Sequence, residues 1–191
     1  MIRTQHELTD KTWFITFTCY QWMPLFEITD SYSLVYSWLN LIAEKYKIQC
    51  FGFVIMPNHV HLLLNLPDSV KSLNTVISNG KRFMAYELIS RLQQRNQGEI
   101  LSSLSAGCSE KEKAKAQKHK VFEPSFDAKP VYTLDFLNQK LIYMHNNPVN
   151  GKWNLCSEFS DYVHSSAAFY LDEKSHPFVN IDDYRLYWFE N

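Results

Sequence analysis

The amino-acid sequence predicts an α+β fold, and three patterns of residues lead to that expectation. Residues 12–19 alternate aromatic and β-branched side chains, as a strand does. Two further strand-like runs, 49–56 and 59–66, are separated only by Pro57 and Asn58, a pair typical of a tight turn. Amphipathic helical patterns follow the first and the third of these runs. This order predicts an antiparallel sheet with helices packed against it.

Two long segments carry the helical periodicity. Residues 30–46 repeat apolar side chains at 3.6-type spacing, and Asp30 or Ser31 can cap their start. Residues 70–93 form the second helix, although Gly80 lowers its helical propensity. The apolar stripe expected along this second helix consists of Val76, Ile77, Phe83, Met84, Leu88 and Leu92.

The pattern closes with a short strand and one more helix. Residues 121–132 contain two prolines and are expected to supply a short fourth strand. A helix then begins at Thr133 and has to end near Asn147, because Pro148 follows. The element order β-α-β-β-α-β-α is that of the ferredoxin-like split β-α-β fold, with an additional C-terminal helix.

The chain of 191 residues has the length of one domain, residues 1–191, and its 46% hydrophobic content suffices for a sizeable core. The core is expected to span about 12–150, with residues 150–191 as a C-terminal extension. The polar segment 94–120 is interpreted as a loop or insertion, with at most a short helix at 110–119.

The composition also indicates the compartment. No apolar run approaches transmembrane length, and the N-terminal stretch lacks the apolar region of a secretory signal. The four cysteines lie far apart in the sequence, with no C-x-x-C pair, at Cys19, Cys50, Cys108 and Cys156. We therefore expect a cytoplasmic protein with reduced thiols, rather than a disulfide scaffold, a zinc ribbon or a membrane protein.

Charge is distributed unevenly along the chain. The net charge is −1, but residues 71–120 contain ten Lys and Arg against four Asp and Glu. A basic middle in an otherwise acidic chain suits the binding of phosphates. A solvated helix face followed by a charged loop explains the same numbers, so charge alone leaves both interpretations open.

The sharpest chemical feature is the histidine pair in Met56-Pro57-Asn58-His59-Val60-His61. Residues i and i+2 of a strand point to the same side, about 6.6–6.8 Å apart. His59 and His61 are therefore expected to share one divalent ion, while Val60 faces the core on the other side. Such a two-histidine site stays open to substrate, as catalytic metals require. Two half-exposed histidines without a ligand remain the alternative.

A second feature lies on the last predicted helix. Tyr143 is off the apolar stripe of that helix, and Asn147 shares its face four residues later. One helix is thus expected to present a phenol and an amide together, unless Tyr143 simply packs at an interface. Lys81 and Arg82 form a third candidate, whose alternative is an ordinary exposed helix face.

Taken together, these motifs resemble one family. The run MPNHVHLLL, followed later by YMHNNPVNGKW, is similar to the HUH single-tyrosine transposases, and most of all to the REP-associated tyrosine transposase group. The resemblance extends over about residues 12–170 and includes the runs TWFITFTC, NGKRF, SFDAKP and DYVHSSAAFY. The two motifs in this order are far more specific than either alone.

This resemblance implies a role for each candidate residue. His59 and His61 would be the metal pair for Mg²⁺ or Mn²⁺, and Tyr143 the nucleophile that forms a 5′-phosphotyrosine with single-stranded DNA. Asn147 stands where the family places a third polar ligand, often Gln. Lys81, with Arg82 beside it, would contact DNA phosphates. The implied partner is DNA, single-stranded and with hairpins, bound by a monomer or homodimer.

Two other functions fit the same motifs. One is a domesticated, non-catalytic protein that binds DNA hairpins. The other is a metal-dependent phosphoesterase, in which the histidine pair activates water. For a metal-dependent reaction, cleavage is expected to fall as the pH drops below the ordinary histidine pKa of about 6.5, because metal ligation needs neutral imidazole.

Overall fold

A computed structural model describes residues 11–151 and 153–188, so the N-terminal stretch, in which no secretory signal is expected, lies outside the described residues. The strands are β1 (Thr12–Thr18), β2 (Gln49–Ile55), β3 (His59–Asn65) and β4 (Asp127–Pro130). The helices are α1 (Leu25–Ile28), α2 (Tyr32–Tyr46), α3 (Leu73–Gln94), α4 (Gly98–Ala106), α5 (Glu110–Lys113), α6 (Leu134–His145), α7 (Ala167–Leu171) and α8 (Tyr184–Trp188). In this part of the chain no helix combines the length and the apolar character needed to cross a bilayer.

The strands form one antiparallel sheet in the order β2-β3-β1-β4. This is the strand order of the split β-α-β-β-α-β arrangement, so the predicted α+β, ferredoxin-like fold class is confirmed. At the centre of the sheet, β1 and β3 pair with Thr16 opposite His61 and Thr18 opposite His59. The sequence therefore places the histidine motif on a central strand, at the end where β3 begins.

Helices α2 and α3 cover one face of the sheet. The main core lies between them and the strands, and the β3 residues Val60, Leu62 and Leu64 point into it. At Gly80 the chain needs a residue without a side chain, because a Cβ there would collide with the Trp38 indole. The glycine that lowers the helical propensity of α3 thus permits close packing of α3 against α2.

Helix α6 packs against the opposite face, over a second and smaller core. This core contains side chains from three strands and from α6, namely Phe14, Phe51, Val54, Leu63, Leu137, Leu141 and Met144. Gly52 of β2 allows the close approach, because a Cβ there would collide with Met144 and lie 2.8 Å from Leu141. The helix predicted to carry Tyr143 therefore lies directly over the strands, on the face that presents the histidines.

Two expectations about the middle of the chain are wrong. The segment 94–120 contains α5 inside the stretch 110–119, where a short helix was expected, but it also contains α4 at Gly98–Ala106, where a loop was expected. Leu104 is fully buried, and Ile100 and Leu101 pack on the main core, so their spacing marks one apolar helix face. Phe83 does not belong to the buried stripe of α3 and is 50% exposed, since it lies about a quarter turn from Met84.

Candidate active site

The two motif histidines lie side by side on β3, with ring centroids 4.8 Å apart. Both side chains are buried, since 6% of His59 and 4% of His61 is exposed. They point away from the main core because Val60, between them, points into it. The two-residue period of the strand thus brings the imidazoles together on the α6 face.

Neighbouring side chains hold the Nδ1 atom of each ring. Asn58 Oδ1 lies 2.7 Å from His59 Nδ1, and Thr16 Oγ1 lies 2.7 Å from His61 Nδ1. The amide of Asn58 has a fixed orientation, because its Nδ2 donates to the carbonyl oxygen of Trp22 at 3.0 Å. His59 Nδ1 therefore donates to an acceptor oxygen, which leaves the lone pair of the neutral ring on Nε2.

The Nε2 atom of His61 is buried and has no hydrogen-bond partner within the described chain. Buried polar atoms are nearly always satisfied, so a buried ring nitrogen without a hydrogen-bond partner is suited to bind a ligand. A histidine whose Nδ1 is held by an oxygen, with Nε2 free, has the arrangement of a metal ligand with its supporting contact. The donor set thus fits a divalent metal bound through Nε2.

Burial sets the protonation state of the pair. It lowers the pKa of His59 to about 4, and that of His61 to about 3 with further lowering from His59 and from the Lys140 ammonium. Asn147 raises both pKa values slightly, as an acceptor oxygen near the rings does. Both rings are therefore neutral well below pH 6.5, so the pH below which metal ligation is expected to weaken is lower than 6.5.

Helix α6 brings Tyr143 to the pair. Thr133 caps the helix by accepting from Phe136 N at 3.2 Å, and Pro148 follows its end. The Tyr143 ring meets His61 edge-on at 5.3 Å between centroids, and the side chain is 51% exposed. A phenol that contacts a buried imidazole while remaining open to solvent can reach a bound substrate.

Asn147 follows one turn later, at the start of a 3-10 turn. Its Nδ2 donates to the carbonyl oxygen of Tyr143 at 2.9 Å, so Oδ1 is the atom of this amide that remains for a metal. Two imidazoles and one amide oxygen are therefore the donors on this face. Among residues 11–151 and 153–188, no three His, Cys, Asp or Glu side chains assemble as metal ligands, at this site or at another.

The structure adds residues that sequence reasoning missed. The ammonium of Lys140 lies 5.5 Å from the Tyr143 ring centroid and 5.2 Å from that of Phe14. The Trp22 indole lies 5.6 Å from His59 and is 57% exposed. Lys140 precedes Tyr143 by three residues, a spacing that signals a shared helix face. No sequence signal connects Trp22 with the histidines, because only the tertiary fold brings its loop to β3.

The structure does not bring Lys81 and Arg82 to this site, since α3 packs on the other face of the sheet. Lys81 Nζ donates to the carbonyl oxygens of Glu123 at 2.6 Å and Ser125 at 3.3 Å. Its ammonium therefore ties α3 to the segment that precedes β4. Arg82 is exposed.

Comparison with known proteins supports the fold. No protein-family model matches the chain, and no curated protein matches it either. The structure resembles that of a REP-associated tyrosine transposase bound to a REP hairpin, with a TM-score of 0.61, 15% identity, and coverage of 87% of this chain and 82% of that one. A proposed transposase from Deinococcus radiodurans R1 aligns with a TM-score of 0.43 at 14% identity, over 76% and 97% of the two chains.

At this level of identity, the likeness establishes a shared fold. The chain has the fold of the REP-associated tyrosine transposase, the group that its histidine and tyrosine motifs resemble.

Proposed function

We propose that this chain is a DNA transposase of the HUH single-tyrosine type, which cuts and rejoins single-stranded DNA. One observation carries the proposal: the half-exposed Tyr143 side chain contacts His61, which forms a buried pair with His59, and the Nδ1 atom of each ring in the pair lies against an oxygen. The fold shared with a transposase that was solved on a DNA hairpin supports it.

The residues that would hold a divalent metal are His59 and His61, through Nε2, and Asn147, through Oδ1. Such a set leaves positions for oxygens of the substrate, which suits Mg²⁺ or Mn²⁺. When bound, the ion would polarise the scissile phosphate and offset its charge. Thr16 and Asn58 would orient the two ligand rings by holding their Nδ1 atoms.

Tyr143 would supply the nucleophile. Its Oη attacks phosphorus, so the Oη–P bond forms and the bond from phosphorus to the 3′ oxygen breaks. The phenol proton is transferred, in balance, to the departing 3′ oxygen. The products are a 5′-phosphotyrosine on the protein and a free 3′-hydroxyl. The phosphodiester energy is conserved in the link, so another 3′-hydroxyl can reverse the step without ATP.

Lys140 would assist through its charge. Its ammonium lies over the rings of Phe14, Phe136 and Tyr143, and burial lowers its pKa. A cation held this close to the phenol is placed to bind an oxygen of the attacked phosphate. Asp127 is the carboxylate that acts on this ammonium, but it raises the pKa of Lys140 less than burial lowers it, and Asp127 is itself paired with Lys129 at 3.9 Å.

DNA would be the substrate and partner. The basic segment 71–120 offers positive charge for the backbone, and exposed aromatic side chains can stack on unpaired bases. A single strand with a hairpin suits both features. Whether one chain or a homodimer acts remains a prediction from the family resemblance.

An adduct assay tests this function. The substrate is single-stranded hairpin DNA labelled at its 3′ end, because the fragment with the 5′-phosphate is the one that stays on the protein. With Mn²⁺ we expect a labelled protein band on a denaturing gel, absent with EDTA and absent in Tyr143→Phe. Cleavage without any adduct, retained in Tyr143→Phe, would favour the phosphoesterase, and hairpin binding without cleavage would favour the non-catalytic binder.

A further inference from the structure

Trp22 presents a large exposed aromatic surface at the edge of the candidate site. It ends a 3-10 turn at Tyr20–Trp22 that follows β1, and its indole meets the His59 ring at 67°, with 5.6 Å between centroids. More than half of the side chain, 57%, is open to solvent. An indole exposed to this extent beside a buried imidazole offers a flat face to a ligand.

The backbone holds this indole in an unusual conformation. Gln21 and Trp22 both have positive φ values, 52° and 58°, in the left-handed region that bulky side chains rarely adopt. Two hydrogen bonds hold the turn in place: Trp22 O accepts from Asn58 Nδ2 at 3.0 Å, and Gln21 N donates to Glu123 Oε1 at 3.0 Å. Such conformations cost free energy and need surrounding contacts to hold them, which these two hydrogen bonds supply beside the histidine pair.

Trp22 and Tyr143 lie at opposite ends of the histidine pair. Along β1, Phe14, Thr16 and Thr18 stand opposite Leu63, His61 and His59. Tyr143 contacts His61 of β3 and Phe14 of β1, which stands opposite Leu63 further along β3, whereas Trp22 contacts His59, where β3 begins. The two exposed aromatic side chains thus flank the position between the imidazoles.

This order matters for phosphoryl transfer, in which the attacking and leaving oxygens lie roughly in line across phosphorus. If a phosphate lies at the histidine pair and Tyr143 attacks from one end, the leaving 3′ oxygen points toward the other. That end is the one where Trp22 stands. The nucleotide that bears the leaving 3′ oxygen therefore meets the indole.

We propose that Trp22 is a stacking platform for the base immediately 5′ of the scissile phosphate. This inference rests on the proposed function and adds to it which nucleotide beside the cut, the one on the 5′ side, the protein binds. Stacking would retain the cleaved strand, so that its 3′-hydroxyl stays aligned with the phosphotyrosine. In the reverse step that hydroxyl attacks phosphorus, the 3′ oxygen–P bond forms, the Oη–P bond breaks, and the proton returns to Oη. An unpaired base is required, which favours single-stranded substrates.

The test is a double-mutant cycle that combines a substitution in the protein with removal of a base from the DNA. The position of the cut is first determined from the covalent adduct. Wild type, Trp22→Ala and Trp22→Phe are each given hairpin DNA that is intact, abasic immediately 5′ of the cut, or abasic immediately 3′ of it. Rates of adduct formation are compared at DNA concentrations below saturation. Phe178→Ala is the matched control, because Phe178 is 62% exposed but stacks on Tyr36 of α2, across the sheet and outside the segment 71–120.

We expect Trp22→Ala to lose about five- to a hundredfold on intact DNA, the range for one base–aromatic stack, and Trp22→Phe to lose much less. The rate of adduct formation by wild type should fall by a similar factor on the 5′ abasic substrate, and Trp22→Ala should not lower the rate on that substrate any further. Additive losses, or coupling to the 3′ abasic position, would overturn the role of Trp22 while the adduct upheld the proposed function. No adduct from wild type on any substrate would overturn both.

Discussion

The buried amide of Asn58 joins His59 to Trp22: its Oδ1 lies 2.7 Å from His59 Nδ1, and its Nδ2 donates to Trp22 O at 3.0 Å. Because the donor end of the amide is occupied by a carbonyl, the acceptor end has to face the ring. One side chain thus sets the tautomer of a candidate metal ligand and anchors the turn that exposes the indole. Asn58 precedes His59 directly and is itself fully buried.

Replacing Asn58 by Ala should weaken Mn²⁺ binding by about 10- to 100-fold, the usual effect of removing a contact that orients a metal ligand. Calorimetric titration of the DNA-free protein with Mn²⁺ measures this directly. Asn65→Ala is the matched control, because Asn65, at the other end of β3, is also an amide with two side-chain hydrogen bonds, to Thr12 and Gln49. Equal losses in both variants would assign the effect to strand stability instead.

Replacing Tyr143 by Phe should abolish the covalent adduct while leaving hairpin affinity and Mn²⁺ affinity within about twofold of wild type. The change removes one hydroxyl and keeps the ring contacts with His61 and Phe14. Gel analysis gives the adduct, and fluorescence anisotropy with labelled hairpin gives the affinity. An adduct formed by the Phe variant would place the nucleophile elsewhere.

Ser166 should position the nucleophile through His145. His145 follows Tyr143 by two residues and its Nε2 lies 2.8 Å from Ser166 Oγ, which also accepts from Phe53 N on β2. Ser166→Ala leaves both groups buried without this partner, at a cost of about 1–3 kcal/mol in stability. We expect slower adduct formation at saturating DNA, with hairpin affinity unchanged.

The neighbouring Ser165→Ala provides the comparison. Ser165 is also buried, but its Oγ accepts only a local hydrogen bond, from Ala167 N, among the hydrogen bonds of the described residues. The Ser165→Ala variant should be less stable than wild type without a corresponding loss in the rate of adduct formation. If rates fall in proportion to stability in both variants, the Ser166 contact is structural only.

Lys81 and Arg82 should differ in their effects. Arg82→Ala should reduce the slope of log affinity against log salt by about 0.7, if Arg82 contacts one phosphate of a single strand. Lys81→Ala should in addition lower the free energy of unfolding by about 1–2 kcal/mol, because its ammonium donates to two carbonyl oxygens. Salt titrations and urea unfolding separate these outcomes, and an unchanged slope in both would remove α3 from the DNA contact.

His164 should make the protein less stable in mild acid. Its Nδ1 lies 2.6 Å from Tyr36 Oη, its ring stacks on Tyr32 at 3.7 Å, and Tyr162 and His176 also face it. Burial, with a smaller contribution from His176, lowers its pKa to about 4. Between pH 6.5 and 4 the unfolded chain binds this proton and the folded chain does not, so stability falls as the pH falls through that window.

Urea unfolding at pH 7.5, 6 and 5 measures this effect. His164→Gln should reduce the slope of the free energy of unfolding against pH, by an amount equivalent to at most about one bound proton. His119→Gln, at a less buried position, should reduce that slope less. An unchanged slope in His164→Gln would assign the acid sensitivity to the other buried histidines.

The sequence alone determined the local elements and the pairing of the histidines. The two-residue period of a strand is a local property, so His59 and His61 had to share a face once β3 formed. The proline after Asn147 likewise set the end of α6, and i,i+4 spacing put Tyr143 and Asn147 on one side of it. Helix α4 was predictable too, from the spacing of Ile100, Leu101 and Leu104, but the polar residues around them obscured that pattern.

Only the tertiary structure decided what surrounds those residues. Thr16, Asn58 and Trp22 meet the histidine pair because β1 pairs with β3 and the turn after β1 folds back on the 57–58 turn. Burial then lowered the histidine pKa values far below those of exposed rings, an effect that depends on α6 lying over the sheet. Packing between distant segments likewise explains why the Lys81 ammonium donates to the carbonyl oxygens of Glu123 and Ser125. Contacts between segments that are distant in sequence form only when the whole chain packs, and they cause the desolvation that shifts pKa values. Local periodicity in the sequence therefore does not predict them.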